Sequence, residues 1–397
     1  MVGYKSAVMI NISAFIMMLG VGMAMALLPQ QVMTLSESVS DIGYLASAFA
    51  LTFVAFQLPI GYLSDKLGIK PFLIAGYFIS ALSGMVYYYS NSLETLFLGR
   101  MLQGLGEIPV WSLAPAYLSL QRPAAKGKAI AVYNAAIHCG LILGCLFGMV
   151  GQKICQGNQF FLFFSGLSFL AGVLVSCRVT NLSTAPMPKV KPGNIISLAG
   201  NLNTIVIFLG VILYGAGYGV FISVIPGFLI QGTHGGAVGV LFILFYIAVS
   251  GVQVVAGPIS DKKGRKQVMV FGLLFAGMGM ILFSFMDIAG LLAMLFVTGA
   301  GLGTFCVAAL AYLNDTVPEN LKGCISGAFY FFWGTGYFTG PILLGKLGAA
   351  HYWHSGFVIF GSLFLAAGVG CFMKIKNEPF IQVRSEVTAP VLSRFDN

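Results

Sequence analysis

The chain has 397 residues, of which 58% are hydrophobic and only 8% charged, and it carries a formal net charge of +9. Soluble domains hold roughly 25% charged residues, so this composition excludes a single water-facing core. The net positive charge therefore has to be explained by where the few basic residues stand.

Twelve apolar stretches follow one another, each long enough to cross about 30 Å of hydrocarbon as a helix. They cover residues 7–33, 41–64, 70–90, 93–118, 129–151, 159–179, 202–230, 236–260, 267–286, 289–313, 323–348 and 352–374. The period-2 alternation of a membrane barrel is absent, so the stretches are predicted to be helices, which satisfy their own backbone in lipid. The first is too long for the apolar region of a signal peptide and no small-residue cleavage site follows it, so it is expected to be retained.

Lys and Arg fix the expected orientation. With the N-terminus inside, eighteen of the 21 lie in inner connections and tails, Lys153 and Lys346 lie outside, and Arg100 falls within a span. Such a split predicts cytoplasmic termini, and the short loops suit a bacterial inner (cytoplasmic) membrane. The basic residues then face anionic lipid, and nucleic acid is excluded as a partner. The seven Cys show no CxxC and no Cys/His metal spacing, so they read as small packing residues and neither a metal nor a cofactor is expected.

The chain repeats itself. Gly61, Asp65, Lys66, Gly68 and Lys70 at the end of the second stretch recur as Gly257, Asp261, Lys262, Gly264 and Lys266 at the end of the eighth, an offset of 196. Gly43 with Gly239 and Pro29 with Pro226 extend the match. A duplicated six-helix unit follows, with parallel halves of the kind transporters use. The expected organisation is an N-terminal six-helix bundle at 1–179, a Pro-rich cytoplasmic linker at 180–201, a C-terminal bundle at 202–374 and a cytoplasmic tail at 375–397.

The run from Gly61 to Lys70 resembles the signature of the major facilitator superfamily. The fourth stretch adds Leu96, Arg100, Gln103, Gly104 and Gly106, similar to that family's L-x-x-x-R-x-x-Q-G-x-G motif. The fifth stretch departs from the drug-exporter branch, since Cys145 and Met149 stand where a Pro and a final Gly would be, which weakens an antiporter assignment. The resemblance implies an all-α fold of two pseudo-symmetric halves that move a solute by alternating access as a monomer. It also gives Gly61, Asp65, Lys66, Gly68, Lys70, Gly257, Asp261, Gly264 and Arg265 the role of a conformational latch. Asp65 would meet the start of the eleventh stretch and Asp261 the start of the fifth, where helix dipoles favour negative charge.

Charge inside the membrane is costly and points to function. Arg100 and Glu107 are the two clear cases, seven residues and about 10 Å apart on one helix, so a direct bridge between them is not expected. Gln103 and Trp111 share their face. Glu107 and His138 fall at similar depth on consecutive helices, which makes them the candidate proton-coupling pair; a neutral Glu that fixes helix packing is the alternative. Arg100 admits three roles: binding an anionic solute group, tuning Glu107, or bonding backbone carbonyls.

The remaining candidates for solute binding are Gln57, Asn134, Tyr214, Tyr218, Tyr246, Gln253, Tyr330, Trp333 and Tyr337. Tyr214–Tyr218 and Trp333–Tyr337 are i,i+4 pairs, each covering one helix face. An aromatic C-terminal lining opposite a charged N-terminal stripe suits an amphipathic solute, moved by proton-coupled export. Import or facilitated passage of a polar metabolite is the second reading. A membrane-embedded enzyme or sensor is the third, and it lacks convergent catalytic groups and an output domain.

Overall fold

A computed structural model of the chain describes residues 2–36, 38–121, 126–151, 158–181, 202–231, 237–317 and 322–375. The expected linker from residue 182 onward and the tail from 376 lie outside the described residues, as does the side chain of Asp65.

The spans, numbered in chain order, are Val2–Ser36, Val39–Leu67 and Ile69–Tyr88 for spans 1 to 3. Span 4 is built from Leu93–Ile108, the π-helical turn Pro109–Leu113 and Ala114–Gln121. Spans 5 and 6 are Lys126–Gly151 and Gln159–Arg178. Span 7 comprises Leu202–Ile222 and Val224–Gln231, broken at Ser223 three residues before Pro226. Spans 8 to 12 are Val238–Lys263, Arg265–Phe283, Ile288–Asp315, Lys322–Ala349 and Trp353–Lys374. Ten of these segments are long and apolar enough to cross a membrane. The other two are span 4, which the π turn divides, and span 11, which is rich in Gly. The protein is an all-α polytopic membrane protein.

Within the first half, span 1 packs on spans 5 and 6, and span 3 on spans 4 and 6; in the second half, span 7 packs on 11 and span 9 on 10 and 12. Small residues set these distances, as expected where lipid supplies no hydrophobic drive between helices. At the tightest crossing, a Cβ on Gly215 would strike the Trp333 carbonyl and one on Gly336 the Ile212 carbonyl. That contact of spans 7 and 11 seats Trp333 and Tyr337 against Tyr218. Gly336→Leu is expected to force the two backbones apart at a cost of about 1–3 kcal/mol or more. Its readout is a lower unfolding midpoint and loss of the monodisperse peak in detergent.

The repeated motif has a local cause as well. Gly68 and Gly264 have φ of 87° and 98° and turn spans 2 and 8 into spans 3 and 9. A side chain is strained in that region, so the repeat needs Gly there whatever else it does.

The two halves meet unevenly along their length. Spans 2 and 11 touch toward the face away from the termini. There Ser40 Oγ donates to the Gly345 carbonyl at 3.3 Å, Ser47 Oγ donates to the Phe338 carbonyl at 2.6 Å, and Gly43 lies on the backbone of Pro341. The matched Gly239 lies on Met149, closing span 8 against span 5 at the same face. Contact on span 2 continues to Val54, which meets Gly334, and is lost one turn later. Leu58 is 61% exposed, and among the described residues a Cβ on Gly61 or Gly327 would meet nothing within 4 Å. On span 8, Val254 is 76% exposed and Gly251 open. The molecule is thus sealed at the far face and parted at the face that carries the termini.

Candidate functional site

The polar stripe of span 4 is assembled as one hydrogen-bonded line. Arg100 Nη1 donates to Gln103 Oε1 at 2.8 Å, Gln103 Nε2 donates to Glu107 Oε1 at 2.8 Å, and Trp111 Nε1 donates to Glu107 Oε2 at 2.9 Å. The first two steps are spaced i,i+3 and i,i+4, the separations that meet on a helix face. Arg100 and Glu107 are 3% exposed and Gln103 is fully buried. No direct bridge joins the two charges, and each finds a partner on its own helix. The Gln103 amide reaches both, because an amide presents an acceptor and a donor on opposite sides.

Neighbouring helices complete the line. Tyr87 of span 3 donates to Gln103 Oε1 at 2.7 Å, so that oxygen accepts from two groups. The Arg100 guanidinium stands 5.0 Å from the centre of the Phe49 ring on span 2, and its Nε is buried without a partner. Tyr337 of span 11 faces the same guanidinium.

Trp111 lies within the π turn. Pro109 has no N–H to continue the helical ladder, and the Ala114 N–H bonds the Pro109 carbonyl five residues back. The wide turn leaves the Val110 carbonyl to accept from Tyr133 of span 5 at 2.5 Å. π turns of this kind sit frequently at functional sites.

The aromatic residues expected on the C-terminal half come together as a group. Tyr218 lies 5.7 Å from Trp333 and 6.3 Å from Tyr337, and Trp333 lies 5.2 Å from Tyr337, ring centre to ring centre. Tyr214 extends the group at 6.1 Å from Tyr218, and Tyr246 interacts with the Tyr218 hydroxyl. Across the seam, Phe49 lies 5.8 Å from Tyr337 and Phe53 5.9 Å from Trp333. Tyr218, Tyr246 and Tyr337 are all buried. Gln253 and Tyr330 are half-buried, the latter against Phe329 at 5.6 Å. Gln57 Oε1 and Trp333 Nε1 are buried and unpartnered.

Among the described residues, the expected Glu107–His138 pairing is not formed, and the partners of Asp261 lie in its own half. Glu107 is taken up by its own helix, while His138 bonds the backbone of Asn134. Asn134 is exposed on the stretch of span 5 where the halves part. Likewise Asp261 is bound by Arg265 four residues on, and Arg265 Nε donates to Asp315 of span 10 at 3.1 Å. On span 2, Lys66 caps the Tyr62 ring at 4.4 Å.

Tyr87, Phe49, Phe53 and Tyr133 were not expected at the site. Pro109 signalled a disturbed helix, but Tyr87 sits in a run of three Tyr that reads as an interface belt.

Comparison with known proteins agrees with this architecture. The chain is 26% identical over 370 residues to the probable galactarate/D-glucarate transporter GudP of Escherichia coli, covering 79% of this chain and 81% of that one. It is 22% identical over 364 residues to the quinolone resistance protein NorA of Staphylococcus aureus, covering 87% and 91%. A bacterial homologue of the human lysosomal transporter Spinster, solved in an inward-facing and unoccupied conformation, superposes with a TM-score of 0.77 at 15% identity, over 94% of this chain and 96% of that one. The model of the Major Facilitator Superfamily matches residues 10–197 and 207–392, nearly the full length, and the chain belongs to that family.

Proposed function

We propose that the chain is a secondary transporter that moves a small amphipathic organic solute by alternating access, with proton movement through Glu107 driving export. The observation that carries this reading is a buried carboxylate held by two neutral donors, Gln103 and Trp111, in a line whose other end, Arg100, meets Tyr337 of the other half. An ionised carboxylate accepts both bonds; a protonated one must itself donate. A proton arriving at Glu107 therefore rearranges its contact with Trp111 and the π turn. Solute contacts in this reading come from Tyr218, Trp333 and Tyr337, with Arg100 beside Tyr337. The basic residues make the parted face cytoplasmic, so this conformation is open to solute from inside. Closing that face would release Asp261 from Arg265 toward span 5, with Asp65 as its counterpart, while the two bundles rock as units within an inner membrane. NorA, named for quinolone resistance, supports the amphipathic class.

A second reading, uptake of a polar anion, is favoured by the unpartnered Nε of Arg100 and by the likeness to GudP, named for two sugar diacids. Proteoliposomes with an imposed pH gradient separate the two. Under the first reading, the gradient drives an aromatic amphiphile against its own gradient, and Glu107→Gln keeps exchange but loses the pH drive. A Glu107→Gln protein still driven by the pH gradient would overturn it. Gradient-driven glucarate movement that is lost in Arg100→Lys would put the second reading first.

A further inference from the structure

The two seams between the halves repeat a polar pair that lies outside the signature run. Gln57 stands four residues before Gly61 and recurs as Gln253, four residues before Gly257. Asn134 of span 5 and Tyr330 of span 11 occupy matched positions at the same offset of 196. Each Gln is carried by a signature helix, and Asn134 and Tyr330 by the helices that meet spans 8 and 2 across the seams.

The register of each seam places these residues opposite one another. On spans 2 and 11 the contact furthest from the sealed face is Val54 with Gly334. Gln57 lies three residues beyond Val54 and Tyr330 four residues before Gly334, where the seam begins to part. On spans 5 and 8 the register is set by Met149 on Gly239. Asn134 lies fifteen residues from Met149 and Gln253 fourteen from Gly239, about 22 Å and about 21 Å along two antiparallel helices. At about 100° per residue both fall within about 60° of the contact line and on the same side of it. The exposed apolar residues Leu146, Ile247 and Val254 of these helices fall on the other side. Asn134 and Gln253 therefore turn to the opening between the halves rather than to lipid, Asn134 exposed and Gln253 half-buried.

We infer that Asn134–Gln253 and Gln57–Tyr330 are twin gates of the terminus-bearing face, hydrogen-bonded pairs that form when that face closes and part when it opens. The inference rests on alternating access about these seams. An amide donates and accepts at once, so it can bond a second amide or a phenol. While the face is open, solvent serves the exposed Asn134. Closure expels solvent, and each group then needs the one opposite, because a buried polar group left unpaired is unfavourable. The pairs lie one turn further into the membrane than Gly61 and Gly257, between the aromatic group of the central site and the latch carboxylates. Their role is to close the path and fix its register, not to hold solute.

Disulfide trapping in proteoliposomes tests this, with Gly61→Cys and Gly327→Cys as a reporter on the seam away from Asn134 and Gln253. A disulfide needs Cα atoms within about 7 Å, so the oxidation rate, taken over the protein without introduced cysteines, follows the fraction closed at that face. Asn134→Ala and Gln253→Ala are each expected to slow the reporter about 5-fold, the factor that one lost hydrogen bond carries. The double variant is expected to slow it no further, since the two residues share one contact. Asn134→Cys with Gln253→Cys is expected to form its own disulfide, faster when Gly43→Leu wedges the far face against the Pro341 carbonyl. The Ala series does not use Gly43→Leu and stands if that variant fails to fold. Reporter rates unchanged in both single variants, or losses that multiply to about 25-fold in the double, overturn the pairing. A reporter that stays reduced even with Gly43→Leu overturns closure of the seam itself, and alternating access with it.

Discussion

Gln103→Leu is expected to destabilise the folded protein by about 3 kcal/mol or more, since three buried groups lose a partner at about 1–3 kcal/mol each. Gln103 accepts from Arg100 and from Tyr87 and donates to Glu107. Leu fills a similar volume, so the cost is one of unpaired polar groups rather than of a void. Arg100 and Glu107 cannot compensate by closing on each other, because seven residues separate them by about 10 Å along the helix. Glu107→Gln is the informative contrast. Its amide still accepts one bond and removes a buried charge, so the fold is expected to survive while proton drive is lost. Unfolding midpoints of both variants in the same detergent decide the point. A Gln103→Leu midpoint within about 2 °C of wild type would mean that the line through Gln103 does not hold the helix as described, since several kcal/mol corresponds to a much larger shift.

The fold was legible in the sequence because its determinants are local and repeated. Each span is one run of apolar residues, and the Gly61–Lys70 run recurs in register at Gly257–Lys266. The candidate site was legible only along single helices. Spacing placed Gln103 and Trp111 on the face of Arg100 and Glu107, and it paired Trp333 with Tyr337; the structure shows each of those neighbours in contact. Spacing carries no information on which way an amide points, so Gln103 as a bridge between the two charges was out of reach. Depth along two helices suggested Glu107 and His138, yet depth does not fix rotation about the helix axes. Tyr87 and Phe49 come from other spans, and nothing in their own neighbourhoods distinguishes them from lipid-facing rings. Span 4 was read as one continuous helix, although Pro109 marks where it widens into a π turn.

The conformation itself yields the second large effect. A Ser40→Cys, Gly345→Cys protein is expected to cross-link readily on oxidation, since Ser40 Oγ lies 3.3 Å from the Gly345 carbonyl at the sealed face. Joining those ends holds spans 2 and 11 together where an outward-open state must part them, so transport in proteoliposomes should fall at least about 10-fold and return on reduction. Gly61→Cys with Gly327→Cys samples the opposite end of the same two spans, where among the described residues a Cβ on either glycine would meet nothing within 4 Å. Disulfides demand Cα atoms within about 7 Å, so this pair is expected to react only in molecules whose terminus-bearing face has closed, and more often once solute is bound. Single-cysteine controls account for the exposed native thiols Cys139 and Cys177. Full transport by the cross-linked Ser40–Gly345 protein would show that spans 2 and 11 need not separate at the far face, and alternating access about this seam would fall. If instead the far-face bond stops transport and the near-face bond forms only with solute present, the two ends of one helix pair open in turn. The solute is then the ligand that shifts that equilibrium, by its differential affinity for the two states.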